Sequence, residues 1–422
     1  MSKSKDKKLP KQIVPLSDIQ GYISTVLEES DETTIADLID FIITQGAYHI
    51  SSDIHLEPWT EHTALRYRID GILHQVALIP KEYHGKLVAR IKVLADLVIY
   101  RKDIPQDGRI DPTKTSCKYP LRVSVIPTIK GEKVVIRVLG ETQELFHLDV
   151  LGFQPNVEQK LKEIIRRNQG TILLTGPSSS GKTTTIYALI QEMINAPRNL
   201  PNIVTIEDPV EYSMDKISQI QINPHVDFTF ANALRSILRQ DPEVIMVGEI
   251  RDYETARIAI QAGLTGHLVI STIHSGTSAG VFIRLIDMGI ESYLVASSVI
   301  ASLAQRLVRI NCPDCIETYN PHPSVYSFFD LKNTKETFYR SKGCSLCQYI
   351  GYRGRACIGE LLYVTSAIEE LILKHPTVSQ LHTLAVSLGM ETMAEDGLKK
   401  ARKGITTLEE LIRVLPLGSH IY

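Results

Sequence analysis

Between Thr175 and Thr184 the chain reads TGPSSSGKTT, and this segment restricts the fold more than any other. The apolar run Thr171 to Thr175 precedes it and the helix-compatible run Thr185 to Ile190 follows, so the segment sits between a strand and a helix. Gly176, four further residues, then Gly181-Lys182-Thr183 make a nucleotide-phosphate loop. Glycines let backbone N–H groups turn inward around phosphate oxygens, and the helix N-terminus adds its partial positive charge. The expected phosphate-cradling residues are Gly176, Pro177, Ser178, Ser179, Ser180, Gly181, Lys182, Thr183 and Thr184. Lys182 would reach the β- and γ-phosphates, and Thr183 would offer its hydroxyl to Mg²⁺.

Downstream of Leu151, apolar strands alternate with helical segments: Thr171–Thr175, Ile203–Ile206, Val244–Val247 and Leu268–Ser271. That alternation predicts a parallel sheet covered on both faces, an α/β fold with ligands at the carboxyl ends of its strands. Upstream the pattern differs. Helical spacing at Ile35, Leu38, Ile39, Ile42 and Ile43 gives way to short alternating strands around Ile54, Leu56, Ala64, Tyr67 and Ile69, with Asp70-Gly71 as a hairpin turn. A helix around Tyr83–Leu97, a turn at Pro105–Gly108 and strands at Leu121–Pro127 and Lys133–Leu139 complete a smaller α+β module. The expected divisions are a flexible tail over 1–30 with room for one short helix, an α+β domain over 31–145, and an α/β core bearing the phosphate loop over 151–310. A cysteine-bounded insert over 311–350 and a helical part over 351–422 follow, with helices at Ile368–Leu373, Val378–Leu388 and Leu408–Val414.

Composition excludes several classes. The 422 residues leave room for about two to four domains. With 43% hydrophobic and 22% charged residues, a sizeable core is possible. A net charge of −2 gives no global basic bias toward nucleic acid. The polar, basic start MSKSKDKKLPKQ lacks the apolar core of a secretory signal, and no apolar stretch is long enough to span a bilayer. Membrane contact is therefore expected only through partners, and the implied compartment is the cytosol. Among six cysteines, Cys312-Pro-Asp-Cys315 and Cys344-Ser-Leu-Cys347 form two C-x-x-C pairs. Two such knuckles suit one tetrahedral structural Zn²⁺, although their spacer is longer than in the usual ribbon. Cys117 and Cys357 fall outside the pattern and read as small apolar residues.

A phosphate loop needs acids and a way to neutralise charge before it can hydrolyse anything. The strand Val244–Val247 runs into Gly248-Glu249-Ile250-Arg251-Asp252, which makes Glu249 a candidate for Mg²⁺ or for the attacking water. The strand Ile203–Ile206 runs into Glu207-Asp208-Pro209, which makes Glu207 a candidate general base; either acid could instead be a solvated loop residue. His267 and His274 are expected beside one sheet edge, where they could contact phosphate or water, though each taken alone reads first as a hydrogen-bonded histidine near the core. Arg66, Arg68, Arg90, Arg109 and Arg122 in the first module are candidates for phosphate contacts across a domain or subunit boundary.

Taken together and in order, these pieces resemble the traffic ATPases of type II secretion and type IV pilus assembly. The resemblance rests on SSDIHLEP (Ser51–Pro58), RYRIDG (Arg66–Gly71), PQDGR (Pro105–Arg109), GEKVVIRVL (Gly131–Leu139), GPSSSGKTT (Gly176–Thr184), TIEDPVEY (Thr205–Tyr212), LRQDPEVIMVGEIRD (Leu238–Asp252), TGHLVISTIHS (Thr265–Ser275) and AQRLVR (Ala304–Arg309). It implies a RecA-like P-loop ATPase domain preceded by a PAS-like α+β domain, with the four-cysteine zinc insert of the assembly and secretion branch. It further implies ATP, Mg²⁺ and Zn²⁺ as bound groups and a cytoplasmic homohexamer lying peripheral to the inner membrane. First-domain arginines such as Arg66 and Arg109 would sense the γ-phosphate, and partners would be an inner-membrane platform protein and a membrane adaptor. Three departures stand out: only about thirty residues precede the match, Asp103 replaces a usual basic residue before PQDGR, and Gly276 replaces an asparagine after the histidine box. A DNA-uptake pilus motor shares these features, whereas direct nucleic-acid binding is not expected. An ATP-binding regulatory switch with little turnover is the alternative in kind, against which stand the intact Lys182, Thr183, Glu207 and Glu249.

Overall fold

Alternating apolar and polar residues from Ser51 onward fold into an antiparallel sheet, and the apolar runs after Gly170 fold into a mostly parallel one. A computed structural model describes residues 10, 12–28, 34–140, 146–196, 200–223, 226–331 and 336–415. Contacts divide the chain into two compact units, 1–142 with 343–350, and 143–342 with 351–422.

The first unit contains helices α1 (Ile19–Glu28) and α2 (Thr34–Tyr48), strands β1 (Ser51–Pro58), β2 (His62–Ile69) and β3 (Ile72–Pro80), helix α3 (His84–Leu94), and strands β4 (Gln106–Ile110), β5 (Leu121–Thr128) and β6 (Gly131–Val138). The sheet order is β3-β2-β1-β6-β5-β4 with every pairing antiparallel. Asp70 (φ 46°) and Gly71 (φ 83°) make the two-residue turn that sets Ile69 opposite Ile72, as the Asp-Gly pair predicts. Leu38, Ile39, Ile42 and Ile43 of α2 are buried in one core with Ile54, Leu56 and Tyr67 of the sheet, and the Tyr67 hydroxyl donates to the Ile42 carbonyl at 2.7 Å.

Two expectations change here. Residues 19–28 form the one short helix allowed for there, but as a packed element and not a flexible tail: Ile19, Ile23 and Leu27 recur every fourth position, line one face of α1 and are buried in the same core. Burying each contributes about 1.5–3 kcal/mol, enough to hold a short helix in place. Residues 1–9, 11 and 29–30 lie outside the described residues. The Pro105–Gly108 turn is instead the start of β4, with Gln106 opposite Val125. The chain reverses before it, because the Gln106 side-chain amide bonds both backbone groups of Val98 and the Arg101 carbonyl. Gly108 serves close approach: a Cβ there would lie 2.5 Å from the Ala95 carbonyl oxygen.

The second unit contains α4 (Pro155–Ile164), β7 (Gly170–Thr175), α5 (Lys182–Ile194), β8 (Ile203–Glu207), β9 (Ser218–Gln221), α6 (Phe230–Ile237), β10 (Val244–Ile250), α7 (Tyr253–Leu264), β11 (Leu268–Ile273), α8 (Ser278–Asp287), α9 (Ser292–Ser298) and β12 (Val299–Asn311). It continues through β13 (Ile316–Tyr319), α10 (Pro323–Phe328), β14 (Phe338–Ser341), β15 (Tyr352–Tyr363), α11 (Ser366–Leu373), α12 (Val378–Ser387), α13 (Met393–Arg402) and α14 (Leu408–Val414). The large sheet runs β15-β12-β7-β11-β10-β8-β9, parallel except for β15. Neighbouring residues of β7 enter different cores, Leu173 with Ala259 and Ile260 of α7, Ile172 and Leu174 with Ile186 and Leu189 of α5. Burial on both faces is why this strand reads as a continuous apolar run.

The part expected to be helical from residue 351 begins instead with β15, which pairs along β12 from Tyr352 opposite Asn311 to Tyr363 opposite Ala301. Helix α13 also went unread; Thr392 and Glu395 form a capping box at its start. This helix is tied to β15 by Asp396, which is 1% exposed and accepts from the Gly359 amide at 2.9 Å, from the Gln154 side chain at 2.7 Å and from buried Lys400. Removing the carboxylate strands a buried ammonium. Asp396→Ala is therefore expected to destabilise the second unit by about 3–5 kcal/mol in urea titrations followed by circular dichroism. A loss below about 1 kcal/mol would show that Lys400 and the Gly359 amide find other partners.

Candidate functional site

The phosphate loop emerges from β7 at Thr175 and ends where α5 begins at Lys182. Gly176 (φ 150°) and Gly181 (φ 87°) adopt backbone conformations that side chains resist, and Ser179 (φ 61°) is left-handed as well. Strand β12 runs parallel to β7 with Ala304 level with Thr175, which sets Gln305 and Arg306 beside the opening of the loop. A Cβ on Gly176 would approach the Gln305 carbonyl oxygen to 2.6 Å, and the Gln305 side-chain amide donates to the Ser180 carbonyl at 2.8 Å. Pro177, Ser178 and Ser179 are exposed at the rim, Ser180 is buried, and Thr183 is exposed on the first turn of α5.

Lys182 folds back over the loop, its Nζ donating to the carbonyls of Gly176 at 2.9 Å and Pro177 at 3.0 Å. Burial holds its pKa below the ordinary lysine value, the Arg306 charge adds to that, and Glu249 opposes it. Glu249 lies at the carboxyl end of β10, half-buried, ion-paired with Arg251 and 3.6 Å from His274 Nε2. The end of β10 is pinned by β11: Ser271 Oγ donates to the Val247 carbonyl at 2.7 Å and Thr272 Oγ1 to the Gly248 carbonyl at 2.8 Å. The loop after β11 is tied to β7, since Thr175 Oγ1 accepts from the Ser275 amide at 2.9 Å and donates to the Ser275 carbonyl at 2.8 Å.

Glu207, on the neighbouring strand β8 beside Gly248, makes a different set of contacts. It is 3% exposed and accepts from Thr205 Oγ1 at 2.6 Å, from Gln219 Nε2 at 3.1 Å and from the Tyr187 hydroxyl. Burial, with the Glu207 carboxylate behind it, pushes the Tyr187 phenol far above its usual range, so this donor keeps its proton. A carboxylate so engaged has little capacity left for water. The two histidines do not share an edge. β11 lies between them, so His267 is at the opposite end of the strand from His274, roughly 20 Å away for six strand residues. Its Nδ1 is 3.1 Å from the Ala262 carbonyl at the end of α7. The arrangement is that of a hydrogen-bonded structural histidine, and a motif written as one string hides the distance because a strand keeps its ends far apart.

The first-unit arginines form their own pattern. Cross-strand partners share a sheet face, and the register sets Arg68, Asp53, Arg137, Arg122 and Arg109 in one row across β2, β1, β6, β5 and β4. Asp53 pairs with Arg137 at 2.9 Å and Arg68 at 3.5 Å, whereas Arg122 and Arg109 have no carboxylate partner among the described residues. Arg66 instead bonds Glu57 at 3.2 Å, and Arg90 is half-buried on α3. Arg137 escaped the sequence reading; its position opposite Arg122 emerges only from the register.

The sulfurs of Cys312, Cys315, Cys344 and Cys347 lie within 4.8 Å of one another, with Cys344 and Cys347 3.8 Å apart. Four thiolates 2.3 Å from a tetrahedral Zn²⁺ would be about 3.8 Å apart, so the donor set fits a closed structural zinc site. The Cys344 amide also donates to the Cys347 sulfur at 3.2 Å, the outer-shell bond that such a ligand needs. Cys117 and Cys357 are buried and separate from the cluster, as small apolar residues are expected to be.

The family model described as Type II/IV secretion system protein matches residues 28–413. The Type II secretion system ATPase E of Vibrio cholerae is 44% identical over 398 residues, covering 92% of this chain and 77% of that protein. The Type IV pilus assembly ATPase PilB of Thermus thermophilus is 40% identical over 387 residues, covering 91% of this chain and 43% of that one. Among solved structures, the pilus retraction motor PilT with bound ADP aligns with a TM-score of 0.60 at 26% identity, covering 90% of this chain and 97% of that chain. The Legionella pneumophila ATPase DotB aligns with a TM-score of 0.64 at 21% identity, covering 89% and 95%, which shows the fold alone. Carrying the phosphate loop, the acid at the end of β10 and the four-thiol cluster on this fold, the chain belongs to the Type II/IV secretion system protein family.

Proposed function

We propose that this protein is a motor ATPase that converts ATP and water to ADP and phosphate, with the nucleotide held on residues 176–184. The observation that carries the proposal is the approach of Lys182, after β7, and Glu249, at the end of β10, on either side of β11, a cation for the phosphates and an acid for metal or water. The Thr183 hydroxyl and the Glu249 carboxylate are hard oxygen donors that suit Mg²⁺, directly or through water. When bound, Mg²⁺ would neutralise charge on the phosphates. Glu249, half-buried and facing His274, is the residue proposed to orient the attacking water and take its proton. Glu207 is proposed to act at one remove, fixing the end of β8 through Tyr187, Thr205 and Gln219.

The arginine row, with Arg109 and Arg122 lacking carboxylate partners among the described residues, supports a role for the first unit in neutralising polyphosphate across a subunit boundary. That role belongs to a ring, and a homohexamer is the assembly proposed. Power transfer would go to an inner-membrane platform protein, with a membrane adaptor as a second partner and a cytoplasmic location peripheral to the membrane. No helix among the described residues is long and apolar enough to cross a membrane. The 44% identity to a type II secretion ATPase and 40% to a pilus assembly ATPase support pseudopilus or pilus assembly as the task. The cysteine-bounded segment from 311 to 350 is proposed to act as the zinc insert.

Lys182→Ala is expected to weaken ATP binding by at least about 100-fold in equilibrium titration, as loss of a charge-assisted phosphate contact of about 3 kcal/mol would; unchanged affinity would refute the site. Glu249→Gln should bind nucleotide within about threefold of wild type while turnover falls at least about 100-fold. Glu207→Gln should chiefly lower the melting temperature, by the roughly 1–3 kcal/mol of a disrupted buried acceptor. Abolished turnover with unaltered melting in that variant would transfer the base role to Glu207. Elemental analysis should find about one zinc per chain, and replacing Cys312 and Cys344 by Ser should release it.

A further inference from the structure

Arg306 lies at the mouth of the phosphate loop and has no task in the account above. Two residues past the point where Ala304 is level with Thr175, it flanks Gly176 so closely that a Cβ there would be 3.2 Å from its Nη1. Its hydrogen bonds go only to backbone carbonyls, Nη1 to Gln305 at 2.9 Å and Nη2 to Gly276 at 3.3 Å. A guanidinium has five N–H donors, so most of this one's capacity is unused. Three residues further along the same strand, Arg309 shows what a structural arginine does here: its Nε and Nη2 reach buried Glu410 at 3.0 and 2.8 Å, and its plane lies over the Tyr352 ring. Arg306 has no carboxylate within ion-pair distance among the described residues, and neither does Lys182. Both are cations beside the same loop opening, each satisfied by neutral carbonyls. Burial lowers the pKa of both groups, and the Arg306 charge further lowers that of Lys182; Glu249 and Glu360 oppose these shifts from beyond ion-pair distance, so neither cation is directly paired.

We infer that Arg306 is a phosphate-binding residue of its own subunit, exchanging the Gly276 carbonyl for the terminal phosphate of a bound nucleoside triphosphate. The inference rests on reading residues 176–184 as a nucleotide site. The terminal phosphate is specified by position. Lys182, the residue that spans the two outer phosphates, points back to Gly176 and Pro177, the side of the loop that Arg306 flanks. The helix N-terminus, which serves the inner phosphates, is at the other end of the loop. A planar guanidinium can engage two phosphate oxygens at once, which an ammonium cannot. Gly276 follows His274 in the loop that Thr175 ties to β7, so the exchange would register the third phosphate on the loop that bears His274, the neighbour of Glu249.

The test compares the full-length protein with Arg306→Gln and Arg306→Lys, titrating each with a non-hydrolysable ATP analogue and with ADP in Mg²⁺. The expected result for Arg306→Gln is an affinity for the analogue at least about tenfold weaker, with ADP affinity changed less than about threefold. Arg306→Lys, which retains the charge but loses the two-point contact, should bind the analogue more weakly than wild type and more tightly than Arg306→Gln, with ADP affinity again changed less than about threefold. Equal weakening of both nucleotides in the Lys variant would make Arg306 a structural residue. An unchanged preference for the analogue in the Gln variant would also overturn the inference while leaving the nucleotide site standing. Should Arg306→Gln fail to fold by circular dichroism, the Lys variant decides. Wild-type protein that binds neither nucleotide would refute the site and the inference together.

Discussion

The approach of β12 to the phosphate loop is the contact on which the site depends. Gly176 lacks a side chain because the Gln305 carbonyl occupies the space, and the Gln305 amide then fixes the loop by its bond to Ser180. Two neighbouring residues of one strand thus shape and charge the same loop, Gln305 by holding its backbone and Arg306 by lying beside it. Strand β12 is in turn held in register by β15, and β15 by the Asp396 carboxylate at the Gly359 amide. A chain of backbone pairings therefore runs from the C-terminal helices to the nucleotide loop without leaving the second unit. Preorganisation of this kind places charge before a ligand arrives, which is where such sites gain their strength.

Much of this was legible in residue order. The loop, the four parallel strands β7, β8, β10 and β11, and the paired cysteines all follow from local pattern: glycines where the backbone must turn, apolar runs where both faces are buried, and C-x-x-C where thiolates converge. What stayed hidden depends on register or on burial. Strand β15 follows the second cysteine pair and contains Gly354 and Gly359, so its pairing with β12 could not be seen until the partner was in place. Glu207 and Glu249 look alike as acids at strand ends, yet Tyr187, one turn into α5, turns toward the first and encloses it. His267 and His274 are close in the text and far apart on the strand. Gly108 reads as a turn glycine and proves to be a contact glycine.

The first unit follows a different logic. Its sheet places four arginines and one aspartate in a row, with the two positions nearest β4 left without a carboxylate among the described residues. Like charges directly opposite each other weaken a sheet. Cores built from α1, α2 and α3 on this sheet supply the apolar burial that tolerates such a row. The chain therefore spends stability in the first unit on charge, and in the second on backbone strain at the loop.

Thr175 acts as a fastener. Its hydroxyl bonds both backbone groups of Ser275, so a side chain does what a strand would have done and extends the link between β7 and β11 two residues past the end of β11. The phosphate loop and the histidine-bearing loop thereby leave the sheet clasped together. Neither can swing alone, and any displacement felt at Gly176 is delivered to His274 as the movement of one body rather than as a signal passed between two.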